Sequence, residues 1–309
     1  MHYALTRPDI KLVPAYFGNS RNFARCSLVD HSVGSVHMGL GLCELKSSGY
    51  LDVHVHSFEE SFYVLEGAPT LIIDARAYQL SPGACGLIPL GTPHAWVGPA
   101  HGSARWIDML APQPRAAGAP PDTFFLGPVA TYEHHDFDIR DPRSRHLFLV
   151  TDGDIELDRL KAGAAVDAPS VSASMNTALL AYSGIALKML VDQRLGAELS
   201  TMFMVEYQPG GVAHPHDHPL EESYFILEGE IEAVADGRQY LLRAGDVFWT
   251  GVGCIHGFRN ISRRRVRWLE TQSPQLPSRY GYRFNRDWQY LADKLAGPQS
   301  VLKTADGSR

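Results

Sequence analysis

The chain holds only four cysteines in 309 residues, Cys26, Cys43, Cys85 and Cys254, with no tight spacing between them. A disulfide framework is therefore excluded as its scaffold. No run of about 18 apolar residues occurs, and the first residues, Met1-His2-Tyr3-Ala4, lack the apolar stretch of a secretory leader. No membrane span is expected, and the reading is of a cytoplasmic protein. Long basic blocks are missing too: 28 Lys and Arg stand against 34 Asp and Glu, for a net charge of −6. The run Arg263-Arg264-Arg265 suits a solvated hairpin tip, so nucleic acid is not the expected partner. A hydrophobic content of 45% and a charged content of 20% describe an ordinary globular chain, long enough for two cores.

What the chain does hold is a repeat. His54, His56, Glu60 and His94 recur as His216, His218, Glu222 and His256, every pair separated by 162 residues (216 − 54 = 162). The register extends past these residues. Glu59-Glu60-Ser61 recurs as Glu221-Glu222-Ser223, Leu65-Glu66-Gly67 as Leu227-Glu228-Gly229, and Arg105-Trp106 as Arg267-Trp268. A gap-free match from Glu44 to Gln113 marks two homologous domains.

The repeated residues carry chemistry. Histidines one residue apart on a strand point to one face, and the glutamate keeps their parity. A later histidine completes three imidazoles and one carboxylate. Such a set suits a divalent first-row metal with positions left open for substrate or oxygen. Iron or manganese is the favoured reading, with nickel, copper and zinc as the other candidates. Parity also turns Tyr224 and Ile226 inward, with Phe62 and Val64 as the upstream counterparts. Cys254 and Phe258 share the parity of His256, as Thr92 and Trp96 share that of His94. Tyr224, His214 and Lys188 are the candidate catalytic residues beside the metal: a phenol, an imidazole on the inward face, and a cation able to pair with a substrate carboxylate.

These motifs resemble those of the cupin superfamily, and within it the two-domain bicupins. Gly210, His216, His218, Glu222 and Gly229 match the first cupin motif. Gly245, Gly251, Gly253, His256 and Asn260 match the second, with Gly251 where the family has proline. Upstream the second motif reads Gly83, Pro89, Gly91 and His94, with Gly98 in place of asparagine, and Gly49 stands one residue nearer His54 than the first motif asks. The resemblance implies an all-β fold of two tandem jelly-roll barrels that hold a metal at both ligand sets. Homo-oligomers are expected on the same ground.

Short β runs separated by Gly and Pro turns agree with that fold. They include Ser61–Leu65, Thr70–Ile73, Gly86–Ile88 and Arg105–Leu110, then Ile185–Val191, Thr201–Tyr207, Tyr224–Leu227, Ile231–Val234, Val247–Thr250 and Arg265–Thr271. Residues 1–115 are expected to form the N-terminal domain, with Leu12–Phe17 as an added strand. Residues 116–176 read as a crossover with a short helical or irregular piece at Asp152–Leu160. Residues 177–285 read as the C-terminal domain, starting with Leu179–Tyr182, and 286–309 as a helix and tail, with helical spacing over Arg286–Leu295. The recurring Arg-Trp pair reads as a stack between barrels.

Bicupins with such ligand sets include gentisate-type and quercetin-type dioxygenases, oxalate decarboxylases and ureidoglycine aminohydrolases. The expected function is a metal-dependent dioxygenase acting on a small aromatic or carboxylated substrate. The alternatives are a non-redox aminohydrolase, decarboxylase or isomerase using the ion as a Lewis acid, and a non-enzymatic small-molecule-binding cupin.

Overall fold

A computed structural model describes residues 1–116, 119–138, 140–155, 183–275 and 283–284. They fold into β-strands joined by turns and short 3-10 segments. The first half builds an eleven-stranded sheet, and the second builds a five-stranded sheet and, together with His2–Leu5, a six-stranded one. Strand bounds run a residue or two past the apolar runs that announce them. The expected Ser61–Leu65 is Glu59–Glu66, and Arg265–Thr271 is Val266–Ser273. Thr70–Ile73, Thr201–Tyr207 and Val247–Thr250 begin and end where expected.

Each barrel has its own core, because alternate residues of each strand face inward. In the first, Trp96 and Trp106 stack at 4.4 Å with Phe23, Phe62 and Leu71 around them. In the second, Tyr207 and Trp268 lie 4.6 Å apart among Phe203, Tyr224 and Phe258. The opposite strand faces meet in a third core between the barrels, which takes Leu40, Leu42 and Met109 from one and Met202, Met204 and Trp249 from the other. The recurring Arg-Trp pair is thus not a stack between barrels. Its tryptophans fill their own barrels, while Arg105 and Arg267, on the other face, pair with Glu44 and Glu206.

Strand pairing also redraws the expected domain limits. His2–Leu5 pairs antiparallel with Val247–Thr250, so the N-terminal strand completes the second barrel, not the first. Conversely, Thr123–Gly127 and Leu147–Leu149, placed in a crossover by their Pro-rich surroundings, pair with Gly39–His56 and Ala84–Ile88 of the first barrel. Only Val13–Pro14 of Leu12–Phe17 is a strand; Tyr16, at φ +56°, turns the chain. Asp152–Ile155 is a 3-10 turn. The rest of Asp152–Leu160, the strand at Leu179–Tyr182 and the helix at Arg286–Leu295 lie outside the described residues. Among the described residues no helix is long and apolar enough to cross a membrane.

The departures from the motifs have local causes. Ser48 occupies the repeat position of Gly210 and takes the same left-handed backbone, φ +59° against +78°. Gly49 corresponds instead to Gly211, and at both a Cβ would come within 3 Å of backbone oxygens. A Cβ on Gly98 would lie 2.2 Å from the Lys46 carbonyl, which excludes asparagine there. Gly251 donates its N–H to the Met1 carbonyl at 2.9 Å. The family's proline has no N–H to give, so this departure belongs with the added N-terminal strand.

Candidate metal centres

Cross-strand pairing assembles both ligand sets. His54 lies opposite His94 in register, and His216 opposite His256. The imidazoles of His54, His56 and His94 bring their donor atoms within 4.8 Å of one another, as do those of His216, His218 and His256, and all six side chains are buried. Each ring is held by a backbone carbonyl two residues away. Nδ1 of His54 donates to Asp52 at 2.8 Å, that of His56 to Phe58 at 2.6 Å, and that of His94 to Thr92 at 2.9 Å. Downstream the acceptors are His214, Leu220 and Cys254, at 2.7, 3.1 and 2.9 Å. A carbonyl can only accept, so Nδ1 carries a proton and Nε2 is the atom turned towards the glutamate or an ion.

The glutamates close the sets. Glu60 Oε2 lies 3.2 Å from His56 Nε2 and 3.7 Å from His94 Nε2. Glu222 Oε2 lies 2.8 Å from His218 Nε2 and 3.2 Å from His256 Nε2. Burial, reinforced by the neighbouring imidazoles, pushes His54 and His216 down to about 3. Burial alone would raise the two carboxyls, but the imidazoles beside them outweigh it and hold both below the usual range. Burial alone would lower His218 as well, but the Glu222 charge beside it outweighs burial and raises it. A cation taken up there displaces that proton, because it requires neutral imidazoles and an ionised carboxylate. His94 Nε2 is buried and makes no hydrogen bond, an arrangement that costs free energy unless an ion takes the lone pair. The residues fit a divalent metal at both places.

Residues 41–110 and 203–271 match the cupin domain family. The chain is a tandem cupin. Among solved structures it is similar to a deletion mutant of oxalate decarboxylase from Bacillus subtilis, with a TM-score of 0.61 at 14% identity over 94% of this chain and 83% of that one. It is also similar to a Lactobacillus farciminis oxalate decarboxylase solved as a formate complex (TM-score 0.58, 16% identity, 94% and 92% covered). A glyoxylate-induced protein from Pseudomonas aeruginosa gives a TM-score of 0.61 at 16% identity, with 92% and 90% covered. At these identities the likeness is one of fold. By sequence, 90 residues are 29% identical to the polyketide synthase CurC of Streptomyces cyaneus, covering 29% of this chain and 58% of that protein.

Of the residues expected beside the metal in this cupin, the structure brings one to it. The Tyr224 hydroxyl donates to Glu222 Oε2 and lies 3.0 Å from His256 Nε2. Burial, then the Glu222 charge, raises the phenol well above its ordinary range and keeps its proton in place. His214 contributes through its carbonyl, which fixes the His216 ring. The strand is irregular between Ala213 and His216, so simple alternation does not carry from His216 back to His214. Lys188 is not at the site. It shares a strand face with Ala186 and Leu190, which belong to the core between the barrels, while Leu187, of the opposite parity, faces the metal barrel.

Sequence reasoning missed three features. Gln272 donates to Glu222 Oε1 at 2.6 Å. Arg25 forms a two-point ion pair with Asp108, at 2.6 and 2.7 Å, in the wall of the first barrel. A cavity of about 20 Å³ adjoins this pair, with His54, His56 and Glu60 in its lining, roughly the room of one water. The third is a reciprocal clasp. Glu221, next to a ligand and facing the other way, accepts from Ser35 Oγ at 2.6 Å, Val36 N at 2.8 Å and His37 N at 3.2 Å of the first barrel. Glu59 accepts from Glu198 N, Leu199 N and Ser200 Oγ of the second, at 2.5, 3.0 and 3.1 Å. The doublets Glu59-Glu60 and Glu221-Glu222 carried that signal: strand parity sends one carboxylate to each face.

Proposed function

We propose that this tandem cupin is a metal-dependent dioxygenase of small phenolic or carboxylated substrates, with its catalytic centre at His216, His218, Glu222 and His256. The observation that carries the assignment to this centre is the Tyr224 hydroxyl against Glu222 and His256, a proton donor that Phe62 cannot supply in the first barrel. An iron or manganese ion held by His216, His218, Glu222 and His256 would supply redox access to dioxygen. Gln272 holds Oε1 of Glu222, so the carboxylate keeps one orientation. Tyr224 keeps a proton at its hydroxyl, ready for an oxygen atom developing negative charge. Phe248, Phe258 and Trp268, buried around Tyr224, exclude water.

The test is metal analysis per chain followed by oxygen-electrode assays with dihydroxybenzoates, flavonols and small dicarboxylates. Oxygen uptake on adding one of these substrates, lost in His216→Ala, supports the reading. A protein expressed with ample iron and manganese that holds neither would overturn it. A second reading draws on the whole-length likeness to oxalate decarboxylases, one of them solved with formate. It predicts formate release from oxalate with no net oxygen consumed.

A further inference from the structure

Where the N-terminal strand meets the second barrel, three side chains that belong to neither ligand set, His2, Asp236 and Cys254, bring one donor atom each within 4.8 Å of one another. Three separate elements supply them. His2 lies opposite Thr250 at the end of the added strand. Asp236 sits at a hairpin tip with φ +46°, and its N–H donates to the Ile255 carbonyl at 2.9 Å, tying the tip to the loop that carries Cys254. His2 Nδ1 lies 3.1 Å from Asp236 Oδ2, while its Nε2 is 2.6 Å from the Tyr240 hydroxyl. The tyrosine thus holds the ring with Nδ1 towards the other donors, as a hydrogen-bond partner commonly does behind a metal-binding histidine. The Met1 amine is 2.9 Å from the same Asp236 oxygen.

We propose that His2, Asp236 and Cys254 form a third metal site, of zinc type, which fastens the N-terminal strand to the second barrel. An imidazole, a carboxylate and a thiolate form a mixed N, O, S set that suits four-coordinate zinc, with water or an amine as fourth ligand. Tetrahedral zinc holds its donors about 3.5 Å apart, and His2 Nδ1 and Asp236 Oδ2 are already within that distance at 3.1 Å. Asp236 is 40% exposed on its side chain and gives the ion a way in, whereas Cys254 is buried. Uptake replaces the thiol proton, which passes to solvent. The site is not inherited from the repeat. At the matching positions the first barrel has Asp74 but Thr92 in place of the thiol, and its added strand, Leu147–Leu149, has no histidine.

Cobalt(II) added to the full chain, tagged at its C-terminus, reports the site directly, because neither main centre contains sulfur. With the two main centres already loaded, a thiolate-to-cobalt charge-transfer band saturating at one further equivalent per chain is expected in the wild type, and the band should persist in His54→Ala, His216→Ala and Cys26→Ser. It should vanish in Cys254→Ser and His2→Ala. Tyr240→Phe should keep the band and bind cobalt about 10- to 100-fold more weakly. A folded wild type without the band, a band that survives Cys254→Ser, or unchanged cobalt affinity in His2→Ala would each overturn the site. His2 lies at a strand end, so its variant decides the matter even if Cys254→Ser misfolds.

Discussion

Behind Glu60 stand Phe62 and Leu110; behind Glu222, at the same repeat positions, stand Tyr224 and Gln272. The ligands of the two barrels are the same and their carbonyl supports match position for position, so the difference lies in what touches the carboxylate. A second contrast runs through the barrel walls. Asp108 is neutralised by Arg25, whereas its counterpart Glu270 faces the ionised Glu222, and the residue matching Arg25 is Leu187. Burial and the Glu222 charge push Glu270 well above the usual range, so it stays protonated, with Trp268 Nε1 donating to it at 3.0 Å. One barrel buries an ion pair where the other buries a neutral acid. The same fold and ligands can therefore offer two different electrostatic surroundings to one kind of ion.

The comparison breaks most visibly at the ligands. His216→Ala should abolish turnover, a fall of more than about 100-fold, and remove one metal per chain. His54→Ala should also remove one metal but leave oxygen uptake nearly unchanged. The opposite result in oxygen-electrode assays would exchange the roles of the centres. Next comes the buried charge. Arg25→Met leaves Asp108 unpaired and should cost about 3–5 kcal/mol in denaturant unfolding. Glu270→Gln replaces a neutral acid by a neutral amide and should cost less than about 1 kcal/mol. Tyr224→Phe gives the second centre the first one's phenyl ring and should lower kcat about 10- to 100-fold without changing metal content.

The reciprocal clasp tests the symmetry itself. Glu59→Gln and Glu221→Gln should each destabilise by about 1.5–3 kcal/mol, equally by thermal unfolding, since the two carboxylates receive matching sets of donors. Another effect is spread over pH. His54 and His216 titrate at about 3 when folded and at the ordinary 6.5 when unfolded. Their contribution is present above pH 6.5 and is lost as pH falls towards 3, at up to about 1.4 kcal/mol per pH unit for each. In metal-free protein, His54→Asn and His216→Asn should flatten that slope by equal amounts.

The fold and the gathering of three histidines and a glutamate in each barrel were legible because a 162-residue period repeats parity as well as identity. His54 and His56 keep one face whatever lies between the copies. Arg25 was not legible: its counterpart is leucine, so the repeat carries no signal there, and its pairing with Asp108 spans 83 residues. Gln272 was hidden for a similar reason, since its counterpart is Leu110. Lys188 and His214 were read by strict alternation along a strand. One faces the core between the barrels, and the other lies in a stretch where a bulge resets the alternation. The exchanged outer strands escaped because pairing partners are set by the closed sheets and not by neighbourhood in the chain.

The strand at His2–Leu5 leaves the ribosome more than 240 residues before Val247–Thr250, its partner. At about 5–20 residues per second, translation keeps it waiting for roughly 10–50 seconds. Throughout that interval the nascent chain carries an open β edge able to join a neighbouring copy. A chaperone that shields this strand during synthesis would therefore raise the yield of correctly paired chain.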